Sequence, residues 1–257
     1  MSIAARYVDT FLQGMATSGV ALYNKIIGEV RSMDYNEFGL TQGAYNSGVI
    51  QDIAQTMSEF FDSPTYENRL TKLQDSLPSI STQVVLDMQK KLNRTLPPEL
   101  ISQLIDIQDI YAAQLNSVLQ DDNVEADIIA PFVNEAFYAI GNNADPSTMV
   151  KEAQKMKDAF VHYFITKVTT IVEQFERELM ATINAAYVVN LFRFTGPKDE
   201  RNREWCHKHV DNVYTKEEIE AFADEEWDGQ IPGTDAFSIW VNLGGYNCRH
   251  ILEPVTK

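Results

Sequence analysis

Cysteine is scarce in this chain. Two cysteines in 257 residues are too few for a disulfide scaffold. Positive charge is short as well: 21 Lys and Arg stand against 37 Asp and Glu, a formal charge of −16, which repels phosphate backbones and excludes sequence-independent binding of nucleic acid to the exposed surface. The deficit is not confined to one half, since residues 195–257 alone carry 7 Lys and Arg against 13 Asp and Glu. Long apolar runs are missing too. The longest candidate, Met180 to Phe192, is broken by Thr182, Asn184 and Asn190 and falls short of the roughly 18 residues a membrane helix needs. The opening MSIAARYVDTFLQG lacks the unbroken apolar core of a secretory signal, so the chain is expected to be cytosolic and soluble. No nucleophile motif surrounds any Ser or His, and no Gly-rich loop between a strand and a helix is placed to cradle phosphate.

What is present is ample core material. The apolar fraction of 44% and aromatic fraction of 11% are those of a globular protein. Single cores stop growing near roughly 250 residues, so two domains are expected: an all-helical domain over 1–194 and a small α+β module over 195–257. In the first, Tyr7, Phe11, Met15, Leu22, Ile26 and Val30 recur at helical spacing, weakened at Gly14 and Gly19. A loop over Met33 to Ser47 leads to a second helix from about Val49 to Phe61. Short helical patterns then end at prolines: Tyr66 to Leu77 before Pro78, and Thr82 to Leu92 before Pro97-Pro98. Pro98 suits a helix start, predicting a helix to about Leu119. Past Asp121-Asp122, a helix from about Val124 to Ile140 should kink or restart at Pro131 and close at Gly141.

The longest pattern follows, with Ser147 as its cap. Met149, Ala153, Met156, Phe160, Phe164, Val168, Ile171, Phe175, Leu179, Ile183, Tyr187 and Leu191 keep one apolar face for a spine helix of roughly 60 Å. His162 lies on that helix with no second ligand at helical spacing, and reads as a surface or core histidine.

Beyond Phe194 the grammar changes. Gly196-Pro197 breaks the helix, a charged run leads to Trp205-Cys206, and Thr215 with Glu218 forms a capping box for a short helix over Lys216 to Ala223. The acids from Asp224 to Asp228 lack the ligand spacing of a calcium loop and read as a solvated face. Phe237 to Leu243 reads as a strand, Gly244-Gly245 as a turn, and Cys248 to Leu252 as a returning strand. Cys206 and His209 are three apart, Cys248 and His250 two apart, so each pair can present its side chains to one side. These four residues are the candidate metal ligands, with His207 a spare. Three uses stand open: a structural zinc held by thiolates and imidazoles, a Cys206–Cys248 disulfide, or two free thiols.

Asp199-x-Arg201-x4-Cys206, then Val213-Tyr214-Thr215, then Asn247-Cys248-Arg249-His250 resemble the C-terminal module of the phage Mu F-like minor head proteins, also called phage head morphogenesis proteins. That family shows D-x-R-T-x3-C, a short strand, and N-C-R-[CHS]. The likeness covers roughly residues 175–257. Asn202 replaces the usual Thr, Asp211 the usual Gly, His209 a position often aliphatic, and Trp240 to Tyr246 the Pro-Pro-x-His lead-in. The resemblance implies a non-enzymatic structural protein of a tailed-phage virion, at the head interior or portal vertex. It would be assembled in the host cytoplasm with the portal or major capsid protein as partner and self-association in the particle. Two rivals arise from the residues: an HNH-like metal-dependent nuclease, from His207-x-His209-Val210-Asp211, Asn242 and Cys248-x-His250, and a helical adaptor with a zinc-stapled tail.

Overall fold

The computed structural model describes residues 2–120 and 124–255, so the turn expected at Asp121-Asp122 lies outside the described residues. The protein is mainly α, with a small strand region near its C-terminus. In chain order the main elements are helix α1 (Ile3–Ser32), strands β1 (Tyr35–Asn36) and β2 (Gly39–Leu40), and helices α2 (Ala44–Phe61), α3 (Pro64–Gln74), α4 (Leu77–Leu92) and α5 (Pro98–Leu119). A π-turn (Glu125–Ile129) runs into α6 (Ala130–Gly141), followed by the long α7 (Pro146–Ala186). The module holds β3 (Leu191–Thr195), α8 (Glu204–His209), β4 (Val213–Thr215), α9 (Lys216–Glu220) with a 3-10 turn (Ala221–Asp224), α10 (Ile239–Asn242) and β5 (Ile251–Pro254). No helix among the described residues is long and apolar enough to cross a membrane.

The chain forms two compact units whose segments interleave, one from residues 1–10, 73–115 and 166–257, the other from 11–72 and 116–165. The expected boundary at 194/195 is therefore not where the chain divides. On α7, Arg177 and Thr170 hydrogen-bond the backbone of the module at Cys248, His250 and Asn247, and β3 starts before residue 194.

The second unit is built on aromatic packing. Phe11, Phe61, Tyr66, Phe160 and Phe164 are buried on one another, with the Phe160 and Phe164 rings 5.0 Å apart. Its loop at 33–43 holds the two-residue hairpin β1–β2, tied down by Asn46, whose side chain donates to the carbonyls of Asp34 and Thr41 and accepts from the Asp34 amide. The helix restarts at Pro131 as expected: after the π-turn, Pro131 opens α6 at its first turn, where its missing N–H is harmless. Asp145, not Ser147, caps α7, its carboxylate accepting the Ser147 amide at 2.8 Å.

In the first unit Pro78 likewise begins α4 instead of ending α3. On α7, Val168, Val172, Phe175, Leu179 and Ile183 are buried, and the Tyr111 ring packs 5.5 Å from that of Phe175. Glu176 is buried as well and receives the amides of Ile3 and Ala4 at 3.0 and 2.6 Å, so a carboxylate from far along the chain satisfies the first turn of α1. The spine stops earlier than its pattern suggests. Val189 N–H donates to Asn184 O and Val188 N–H to Ala185 O, with Val188 at φ 53, which is a left-handed Schellman end. Tyr187 is half-buried, and Leu191 belongs to β3.

The module's sheet has the order β4-β3-β5, all antiparallel, with Phe192 opposite Tyr214 and Pro254, and Phe194 opposite Leu252. Alternation turns Phe192 and Phe194 inward and Arg193 outward. They meet Trp205, Val210, Ile219, Phe222, Ile239, Leu243 and Leu252 in one core. The capping box forms as read, Thr215 accepting Glu218 N–H and Glu218 accepting Thr215 N–H. The apolar run Phe237 to Leu243 is not a strand. Asp235 accepts the Phe237 and Ser238 amides on its carboxylate and the Ile239 amide on its carbonyl, which starts the helical turn α10. The returning strand begins only at Ile251, leaving Cys248 to His250 in the loop before it.

Candidate metal centre

Cys206 is carried by α8, a helix of six residues held between the Phe194 and Phe222 rings through its neighbour Trp205. Cys248 and His250 come from the loop after α10. There Leu243 (φ 42) and Gly245 (φ 87) reverse the chain, and Asn247 N–H donates to Thr170 Oγ1 on α7 at 3.0 Å. Gly244 lies between the two sulfurs: a Cβ at this position would sit 2.6 Å from Cys206 Sγ and 2.8 Å from Cys248 Sγ. The absence of a side chain there is what allows the thiols to approach.

The ligand atoms of Cys206, Cys248 and His250 all lie within 4.8 Å of one another, and the three residues are 2%, 2% and 1% exposed. His250 Nδ1 is 3.8 Å from Cys248 Sγ, and its Nε2 is 3.0 Å from the Pro197 carbonyl oxygen. A carbonyl only accepts, so Nε2 carries the proton and Nδ1 offers its lone pair toward the sulfurs. This is how a metal-ligating histidine is usually held.

The electrostatics favour one thiolate. Both cysteines are free. The hydrogen bond between them holds the Cys248 thiol well below its ordinary value and pushes Cys206 up. Arg177 adds to this. It is 2% exposed, its Nη1 donates to the carbonyls of Cys248 (2.9 Å) and His250 (3.2 Å), and its charge favours the anion. Its Nε and Nη2, like Glu173 Oε2 one turn earlier on α7, have no hydrogen-bond partner among the described residues. Two cysteine sulfurs and one imidazole, buried beside a cation, form a set that could hold a metal ion.

His209 is not part of it. Its Nδ1 is 2.9 Å from Tyr214 Oη, its Nε2 is 3.7 Å from Glu225 Oε2, and its ring packs 4.3 Å from Trp205 and 4.5 Å from Phe222. Burial lowers its pKa. The three-residue spacing from Cys206 was expected to aim both side chains at one ion. On so short a helix, the aromatic wall of Trp205, Phe222 and Tyr214 captures the imidazole instead. His207 is exposed and takes no part.

Arg249 points away from the sulfurs and forms a bidentate pair with Asp199, Nη1 to Oδ2 at 2.8 Å and Nη2 to Oδ1 at 2.6 Å, with a third bond to Asn202 Oδ1 at 3.0 Å. Asp211 sits at φ 69, the left-handed region favoured by glycine. Arg177, Glu173, Gly244 and Pro197 were not read from the sequence as parts of the site. Glu173, Glu176 and Arg177 carry charge on α7, and only their burial in the structure marks them as interior. No protein-family model matches the chain, nor does any curated protein or solved structure.

Proposed function

We propose that this chain is a structural protein of a tailed-phage head, docked by its helices on the portal or inner shell and self-associating there to assist assembly, packaging or ejection. The observation that carries the reading is the meeting of the four motif residues: Asp199 pairs with Arg249, and Cys206 lies beside Cys248, although these residues come from separate stretches of the chain. The left-handed Asp211, at the position where the resembled family has Gly, supports the same reading.

Within it, the module is stapled by zinc on Cys206, Cys248 and His250, because zinc accepts thiolate and imidazole together and brings no redox chemistry. Three protein ligands leave one position for a small donor. Burial of all three keeps a substrate out, so the ion's task is structural. A nuclease would need His207 or His209 at the ion, and His209 is engaged by Tyr214 and Glu225.

The test is mass spectrometry of purified virions together with co-purification of the tagged chain with portal or shell protein. Finding the chain in particles and on the portal supports the reading. Its absence from virions overturns it, and capture by non-virion helical partners alone would favour the adaptor.

A further inference from the structure

The loop from Gly196 to Asn202 is wired to the ligand histidine by a continuous chain of bonds. Arg249 grips Asp199 through Nη1 and Nη2 and adds a bond from Nη2 to Asn202 Oδ1. The Asn202 side-chain amide in turn donates to the Pro197 carbonyl, the same oxygen that accepts His250 Nε2–H. The turn is closed internally by Asn202 N–H on Asp199 O at 3.0 Å and Arg201 N–H on Asp199 Oδ1 at 3.1 Å. Gly196 completes the seat: a Cβ there would lie 2.3 Å from His250 Cδ2 and 2.7 Å from Cγ, so only glycine lets the backbone approach the imidazole this closely.

We propose that Asp199, Asn202 and Arg249 are positioning residues for His250, fixing its Nε2–H tautomer and its orientation so that Nδ1 is presented to an ion held by Cys206 and Cys248. This rests on the metal staple proposed above. The physical reason is that an imidazole ligates through one nitrogen only when the other is committed as a donor, and outer partners of that donor typically change metal affinity about 10–100-fold when removed. Arg249 suits the task because its planar fork holds a carboxylate in one geometry, which a lysine cannot.

The experiment titrates the reduced full chain with Co(II) and follows the thiolate-to-cobalt and d–d absorption bands. In parallel, ¹⁵N shifts of His250 in the metal-free protein report its tautomer. The native chain should bind one Co(II) and show a single Nε2–H tautomer. Arg249→Lys and Asn202→Ala should weaken binding roughly 10–100-fold, keep the thiolate bands, shift the d–d bands and give mixed tautomers, while Asp199→Glu, which keeps a carboxylate for Arg249, should lose less than either. Native affinity, spectrum and tautomer in both Arg249→Lys and Asn202→Ala would overturn the positioning role and leave the staple standing. Failure of the native chain to take up any ion would overturn the staple and this inference with it. Asn202→Ala changes no charge, so it remains decisive if Arg249→Lys fails to fold.

Discussion

Arg249 and Asp199 form a two-pronged ion pair, 2.6 and 2.8 Å long, between residues fifty positions apart in the chain. Each comes from a loop without regular structure, and the pair fixes both loops around His250. Its hydrogen bond to Arg249 holds the Asp199 carboxyl down to about 2, below its ordinary 3.8. A depressed carboxylate contributes above its unfolded value and is lost as pH falls through its folded one. The pair should therefore persist at about pH 4 and open near pH 2. Carboxyl ¹³C titration of Asp199 checks this, and a midpoint near 4 would contradict it.

Gly244→Ala should force the two sulfurs apart, because the new methyl would lie closer than 3 Å to both. The φ of Gly244 is not in the left-handed region, so the effect is purely steric. Overpacking of this kind costs about 1–3 kcal/mol. Urea unfolding should show that loss, and metal titration should show uptake abolished or greatly weakened.

His209→Phe should keep one metal ion per chain, since His209 belongs to the aromatic core and a phenyl ring can replace it there. His250→Ala should lose the ion. Elemental analysis of the two purified variants distinguishes them, and loss of metal in His209→Phe would restore the four-ligand site.

Val188 is 74% exposed and sits at φ 53, where a β-branched residue is strained. Val188→Gly should stabilise the chain by about 1 kcal/mol, net of the backbone entropy glycine adds. An unchanged or lower unfolding midpoint would mean that Val188 gains from its neighbours what it loses in strain.

Glu173 faces Ser2, which donates to it at 2.7 Å, and lies near Arg177, Glu176 and Cys248; burial pushes its carboxyl up to about 8. The folded chain then holds a proton that the unfolded chain releases near 4.5, so this group's contribution to stability declines as pH rises from about 4.5 to about 8 and is flat above. Glu173→Gln removes that slope. The stability of Glu173→Gln relative to the native chain should climb by on the order of a few kcal/mol across the window. Parallel pH profiles in urea unfolding would show that Glu173 is ionised throughout.

Much of the helical architecture was legible because its signals are local. The apolar stripe from Met149 to Ile183 is buried residue by residue, Leu119 ends α5, and Thr215 with Glu218 forms the expected capping box. The errors also have local causes. Phe237 to Leu243 looks like a strand by composition, yet Asp235 offers its amides a turn. Leu191 continues a helical period by coincidence, and β3 claims it through pairing with Thr215.

The sequence by itself determined which segments coil and where prolines and glycines interrupt them, because periodicity and caps act over a few residues. Only the tertiary structure decided which ligands meet. His209 was drawn into the aromatic core and His250 was turned toward the sulfurs by a carbonyl fifty-three residues away. Arg177 and Glu173, which the apolar stripe of α7 does not include, were buried as well. The physical reason is that a ligand set and its outer bonds depend on the direction of side chains at contacts between distant segments, which no spacing along the chain encodes.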